Sequence, residues 1–122
     1  KPHRFFRRRG DDILLDMSIN IAQATLGADI EIPTLEGDQI LEIPAGTQPG
    51  KVFRLRNKGV PHVNRNGRGD QLVVVSVEIP RSLSSEQKQL FEGLANSLGT
   101  EVTFRERSFL DSLKEFFGGF TD

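Results

Sequence analysis

A chain of 122 residues has room for one compact domain with extensions and a modest core. Its 36 % hydrophobic and 27 % charged residues suit a folded globular chain, and a net charge of -1 leaves no global field to draw it to nucleic acid or membrane. With no cysteine, disulfides, thiol nucleophiles and thiolate metal sites are excluded together. No apolar run is long enough to span a bilayer, the first residues do not read as a signal peptide, and the expected setting is cytoplasmic.

Residues 1–10 (K-P-H-R-F-F-R-R-R-G) form a cationic segment with two aromatics. It reads as the last strand of a preceding domain; the alternative is a basic arm for nucleic acid, with Arg for phosphates and Phe for bases. The abrupt basic start suggests a piece of a longer chain. Residues 11–19 alternate, placing Ile13, Leu15, Met17 and Ile19 on one face of a half-buried strand. Asn20 and Gln23 have the spacing of a capping box for a very short helix, which Gly27 is expected to stop in the left-handed conformation. Alternation resumes with Ile30 and Ile32, then with Leu41 and Ile43. Glu36-Gly37 is expected to supply the hairpin turn between them, because glycine accepts positive φ without a steric penalty.

Pro44, Gly46, Pro49 and Gly50 punctuate a loop that no helix or central strand could pass through. Val52, Phe53 and Leu55 form the apolar part of the next strand, with Arg54 and Arg56 expected on its other face. Between Ile43 and Gly69 there is no carboxylate, whereas Lys51, Arg54, Arg56, Lys58, Arg65 and Arg68 are all cationic. That stretch is either a solvated strand face or a docking surface for an acidic segment or an anionic backbone. Residues 64–70 are loop chemistry. They make a poor phosphate cradle, because a nucleotide loop should open a helix and here a strand follows. Residues 71–79 are the strongest β run, nearly continuous in apolar character, as expected of a central strand ended by Pro80.

Ser84 and Gln87 repeat the capping-box spacing. Leu90, Phe91, Leu94 and Leu98 then recur at helical intervals until Gly99. Each Leu or Phe of that stripe left in water forgoes roughly 1.5–3 kcal/mol, so it needs a cover, either its own β-domain or a second copy. Val102 and Phe104 read as a β-like fragment. From Ser108 a last amphipathic segment carries Phe109, Leu113, Phe116, Phe117 and Phe120, a seam suited to docking on a partner protomer.

Catalytic chemistry is not expected. His3 and His62 lie in unlike loops, no paired-histidine spacing suggests a metal, and Asp11-Asp12, as strand neighbours, point to opposite faces. No cofactor is expected.

Several spacings agree at once on a family. Pro33-Thr34-Leu35-Glu36-Gly37 is followed by I-P-A-G-T-Q-P-G-K-V-F-R-L-R-N-K-G-V-P at 43–61. Upstream stand H-x-x-F-x-R-x-G-D-D (His3, Phe6, Arg8, Gly10, Asp11, Asp12) and A-x-L-G (Ala24, Leu26, Gly27). Downstream stand G-x-G-D (Gly67, Gly69, Asp70) and L-S-x-E-Q-K at 83–88. Up to about Gly99 the chain resembles the carboxy-terminal domain of DnaJ-type (heat-shock-forty) co-chaperones; from Thr100 the match weakens.

The resemblance implies a mainly β fold, a small two-sheet sandwich or barrel-like domain with short helices and a helical C-terminal extension. It implies that residues 1–10 end a preceding β-domain, that 11–82 form the second C-terminal β-domain, and that 83–122 form a helical dimerisation segment and tail. The implied role is to hold unfolded polypeptide, as a homodimer, for transfer to a DnaK-type ATPase chaperone. Phe6 matches a position that lines the client groove. Ile13, Leu15, Ile30 and Ile32 are weaker client-binding candidates, at least three of them expected in the core. Lys51, Arg54, Arg56 and Lys58 are candidate contacts for the DnaK-type partner, and Leu90, Phe91, Leu94, Leu98, Phe109, Leu113, Phe116 and Phe117 for dimerisation. The sequence contains neither the His-Pro-Asp element of a J-domain nor the C-x-x-C-x-G-x-G zinc repeats, so it is not expected to stimulate an ATPase alone. From another class, the alternative is a nucleic-acid-binding β-barrel using basic residues 51–68. Only Phe53 is an interleaved aromatic there, so no nucleic acid is expected.

Overall fold

Period-two patterning turns most of the chain into strands. In the computed structural model, which describes residues 5–104, the order is β1 (Phe6–Arg9), β2 (Asp12–Asn20), α1 (Ile21–Leu26), β3 (Ala28–Thr34), β4 (Gly37–Ile43), β5 (Val52–Leu55), β6 (Gln71–Glu78) and α2 (Ser85–Leu98). The chain divides into two units between Arg81 and Ser82. In the first, four strands form one sheet in the order β1-β2-β6-β5, and β3 and β4 form a second, two-stranded sheet. The fold is therefore mainly β with two sheets, as the sequence implied.

β6 is central. It runs parallel to β2, from Ile13↔Gln71 to Asn20↔Glu78, and antiparallel to β5. Neighbours on both edges account for its nearly unbroken apolar run. Leu15, Ile19, Ala24, Ile32, Leu41, Ile43, Val73 and Val75, drawn from both sheets and α1, form the core, with Phe6, Met17, Ile30, Phe53, Leu55 and Val77 packed around it. Gln71 is fully buried, and its Nε2 donates to the Pro33 carbonyl at 3.0 Å, tying β6 to β3.

Both capping boxes form. Asn20 Oδ1 accepts from Gln23 N at 2.7 Å while Gln23 Oε1 accepts from Asn20 N at 3.0 Å. Ser84 and Gln87 make the same pair of bonds at the start of α2. In the second unit no residue of α2 is buried, and Gly99 closes the helix by donating to the Ala95 carbonyl at 3.0 Å.

Other local expectations are corrected. The turn between β3 and β4 is Leu35-Glu36, one residue earlier than expected, with Thr34 opposite Gly37. Thr34 organises it, its hydroxyl donating to the Gly37 carbonyl and accepting from Glu36 N at 3.2 Å. Gly27 has φ 85° and ψ 159°, a positive φ but not the left-handed helical conformation. Its glycine identity also answers to crowding, since a Cβ there would lie 2.8 Å from the Ile43 carbonyl oxygen. Val52 is 46 % exposed, whereas Phe53 and Leu55 pack on the core, so Val52 shares the outer side with Arg54. Arg56 lies beyond the end of β5. Val102 and Phe104 are exposed and belong to no strand.

Substituting Gly27→Ala should therefore lower the stability of the first unit by about 1–3 kcal/mol. Gly93→Ala in α2, where an added Cβ meets nothing within 4 Å, should instead strengthen its helix by roughly 0.5–1 kcal/mol. Urea unfolding followed by circular dichroism measures both.

Candidate functional site

β1 is an outer strand of the four-stranded sheet, held to β2 through the register Phe6↔Leu15, Arg7↔Leu14, Arg8↔Ile13 and Arg9↔Asp12. Cross-strand partners share a face, so Phe6 lies on the side of Leu15 and packs, half-buried, at the margin of the core. The opposite face carries Arg7, which pairs with Asp16 at 2.9 Å. Both side chains are 62 % exposed, so this pair adds little stability. Of the weaker client-binding candidates, Ile13 (3 % exposed), Leu15 (5 %) and Ile32 (2 %) are core residues, and only Ile30 keeps part of its surface.

The turn from β1 to β2, Gly10-Asp11, is gripped by residues about fifty to sixty positions away. The Asp11 carbonyl accepts from Val60 N at 2.8 Å, and a Cβ on either Gly59 or Gly69 would collide with it. Gly59 N donates to Gly69 O at 2.8 Å, Gly69 N to Val60 O at 2.9 Å and His62 N to Gly67 O at 2.9 Å, forming a short backbone ladder. Asp11 Oδ2 lies 2.8 Å from His62 Nδ1, and Asp12 Oδ1 accepts from Asp70 N at 2.8 Å. Asp70 in turn accepts from Asn57 N at 3.0 Å and pairs with Arg54. The G-D-D, K-G-V-P and G-x-G-D segments are thus parts of one joint. Sequence reasoning saw them as a family signature without their shared place; the signal available was rigidly spaced glycines beside acids.

Electrostatics follow from that geometry. The hydrogen bond from His62 holds the Asp11 carboxyl below the usual 3.8, assisted by the charges of His62 and Arg8 against partial desolvation. Asp70 is likewise lowered, first by the Asn57 amide and then by Arg54.

The basic stretch is acid-free in sequence but not in space. Arg54 meets Asp70, while Glu36 at the tip of the second sheet takes Arg68 at 3.1 Å and Lys58 at 3.8 Å. Lys51 Nζ stands 5.7 Å from the centre of the Phe53 ring, and Arg56 is exposed. The loop from Pro44 to Lys51 lines a shallow, open cleft of about 480 Å³. Among the described residues, no group of three or more His, Asp or Glu is placed to hold a metal.

Of the dimerisation candidates, Leu90, Leu94 and Leu98 are exposed and Phe91 is half-buried. Phe109, Leu113, Phe116 and Phe117 lie outside the described residues.

Two packed sheets, one ending in a short outer strand, followed by a capped amphipathic helix, define a small β-domain with a helical extension. The chain belongs to the DnaJ C terminal domain family, whose model matches residues 1–80. It is 47 % identical over 118 residues to the chaperone protein DnaJ of Halothermothrix orenii, covering 97 % of this chain and 32 % of the relative. It is 48 % identical over 120 residues to that of Roseiflexus sp. strain RS-1 (97 % and 32 %), and 46 % over 116 residues to that of Clostridium tetani (95 % and 31 %). The chain thus spans about a third of the length of the curated relatives it matches. These similarities lend the nucleic-acid alternative no support. No helix among the described residues is long and apolar enough to cross a membrane.

Because Asp11 and Asp70 have lowered values in the folded state, the stability they contribute is present above the unfolded value of 3.8 and is lost as pH falls through their folded values. Asp70→Asn should therefore be less stable than wild type at pH 7 and show a flatter loss of stability below about pH 4. Urea midpoints measured from pH 7 to pH 2 test the sign.

Proposed function

We propose that this chain is the client-holding and dimerising C-terminal part of a DnaJ-type co-chaperone, retaining unfolded polypeptide for transfer to a DnaK-type ATPase chaperone. The observation that carries the reading is the family match over 1–80, joined to relatives that bear the name chaperone protein DnaJ along nearly the whole chain. Backbone pairing at a sheet edge with shallow apolar contacts tolerates many sequences, which suits clients defined only by exposed hydrophobic residues. Phe6 is the principal client contact and Ile30 the second, both half-buried beside the core. Ile13, Leu15 and Ile32 support them from within. The domain acts as a binding module without catalytic chemistry of its own, in the cytoplasm. A J-domain outside the present sequence would engage the DnaK-type partner, with Lys51, Arg54, Arg56 and Lys58 as a secondary contact.

Dimerisation through α2 is part of the same proposal. Leu90, Leu94 and Leu98 fall on one helical stripe and remain largely exposed, and a second copy is the cover they fit.

Phe6→Ala should weaken binding of a fluorescent unfolded polypeptide about tenfold, the effect of losing ~1.4 kcal/mol of apolar contact. The melting temperature should fall as well, because Phe6 also packs on the core, so binding is compared at a temperature where both proteins are folded. Chemical-shift mapping with the same client is expected to perturb residues 5–32; silence there would exclude the site. In sedimentation experiments at micromolar concentration the chain should behave as a dimer and Leu94→Asp as a monomer. A wild-type monomer at every concentration would remove the dimer from the account.

A further inference from the structure

The joint around Asp11 contains a titratable contact that holding a client does not require. β1 has four residues, pairs only with β2 in its sheet, and reaches it through the two-residue turn that Asp11 anchors. Arg8 reinforces that turn, its Nε donating to the Gly10 carbonyl at 2.7 Å and its Nη2 standing 3.5 Å from Asp11 Oδ1. On the other side the imidazole of His62 faces Asp11 Oδ2 at 2.8 Å, with the Asp11 and His62 side chains only 29 % and 19 % exposed. We propose that Asp11 and His62 are positioning residues, a carboxylate–imidazole peg that fastens the β1–β2 hairpin to the 57–70 loop and tightens when the imidazole takes up a proton.

The charges around the peg set its direction. Asp11 stays ionised well into acid, because His62 and Arg8 favour the carboxylate. Histidine side chains as a class gain their proton between about pH 8 and 5. With Asp11 ionised, the bond already has a charged acceptor; a proton on the imidazole adds the opposite charge on the donor side and makes the contact an ion pair. Arg65 opposes this, its Nη2 lying 3.4 Å from the same Nδ1. Of the remaining acids at the joint, Asp12 accepts from the Asp70 amide and Asp70 is neutralised by Arg54. The hairpin should therefore be held most firmly in mildly acidic solution and released when Asp11 itself is protonated. Any consequence for client capture rests on the Phe6 reading proposed above.

Amide-exchange protection factors of Val60, which donates to Asp11, and of the β1 amides test the peg, measured by NMR on the 122-residue chain from pH 8 to pH 4. Affinity for a fluorescent unfolded polypeptide is measured alongside. Wild-type protection should rise about threefold between pH 8 and 5, the scale of a partly exposed ion pair, and client affinity should follow it. His62→Gln, which keeps a donor but cannot titrate, should show a flat profile over that range. Asp11→Asn should be less protected throughout; should it fail to fold, the comparison of wild type with His62→Gln decides. Coincident wild-type and His62→Gln profiles overturn the peg. Protection that follows the expected course while affinity stays constant overturns its role in client capture and counts against the β1 site, leaving the peg itself standing.

Discussion

The parallel pairing of β2 with β6 is the constraint on which the rest of the first unit depends. Parallel neighbours cannot be joined by a tight turn, so the chain between Asn20 and Gln71 must return to the end where β2 began, by way of α1, the second sheet and β5. The pair needs a fixed register, because a slip of one residue would carry Leu15, Val73 and Val75 from the core face to the other side. The clamp lies where both strands begin. Asp12 accepts from the Asp70 amide, the Asp70 carbonyl accepts from Ile13 at 2.9 Å, and Asp11 is seated against Gly59 and Gly69 one step upstream. Side-chain bonds and a backbone contact with no room for a Cβ thus set the first rung, and Ile13↔Gln71 follows from it.

With that rung fixed, the second sheet has one face to cover. Gln71, at the same end of β6, reaches the Pro33 carbonyl, while the close approach at Gly27 brings the start of β3 against the end of β4. Ile32, Leu41 and Ile43 are thereby brought onto Leu15, Ile19, Val73 and Val75. This packing limits where a client could bind. Re-exposing a buried Ile or Leu would forgo roughly 1.5–3 kcal/mol each, which shallow contacts with an unfolded chain would not recover. Binding surface must come from residues that the core covers incompletely, and Phe6 and Ile30 are of that kind.

What was legible in the sequence was local. Alternation placed Ile13, Leu15 and Ile19 on a buried face, and Asn20/Gln23 and Ser84/Gln87 formed the boxes their spacing promised. The β3–β4 turn was misplaced by one residue because the Thr34 hydroxyl, and not the glycine alone, shapes it. Val52 was put on the wrong side because three apolar residues within four positions leave the phase of a short strand ambiguous; packing of Phe53 and Leu55 on the core decides it. The joint was illegible for a different reason. Asp11, Gly59 and Gly69 acquire meaning only together, and nothing local to any of them announces the others. The cationic stretch is also less isolated in space than in sequence, since Glu36 and Asp70 enter it from outside the window in which charges were counted.

The proposed pairing of copies through α2 bears on how so slight a surface could hold a client at all. One outer strand of four residues with a half-buried Phe offers a contact that is individually weak and tolerant of sequence. Two such contacts on one dimer convert the second binding step into an intramolecular one, whose effective concentration depends on the span between the sites and not on new chemistry. Weakness at each site then becomes compatible with retention of the whole chain, and release needs only one contact to lapse before the other. The exposed leucines of α2 and the shallow edge at β1 are in that sense complementary: deep burial of client at the edge would require a different core, whereas covering the helix with a second copy leaves the β-domain as it is.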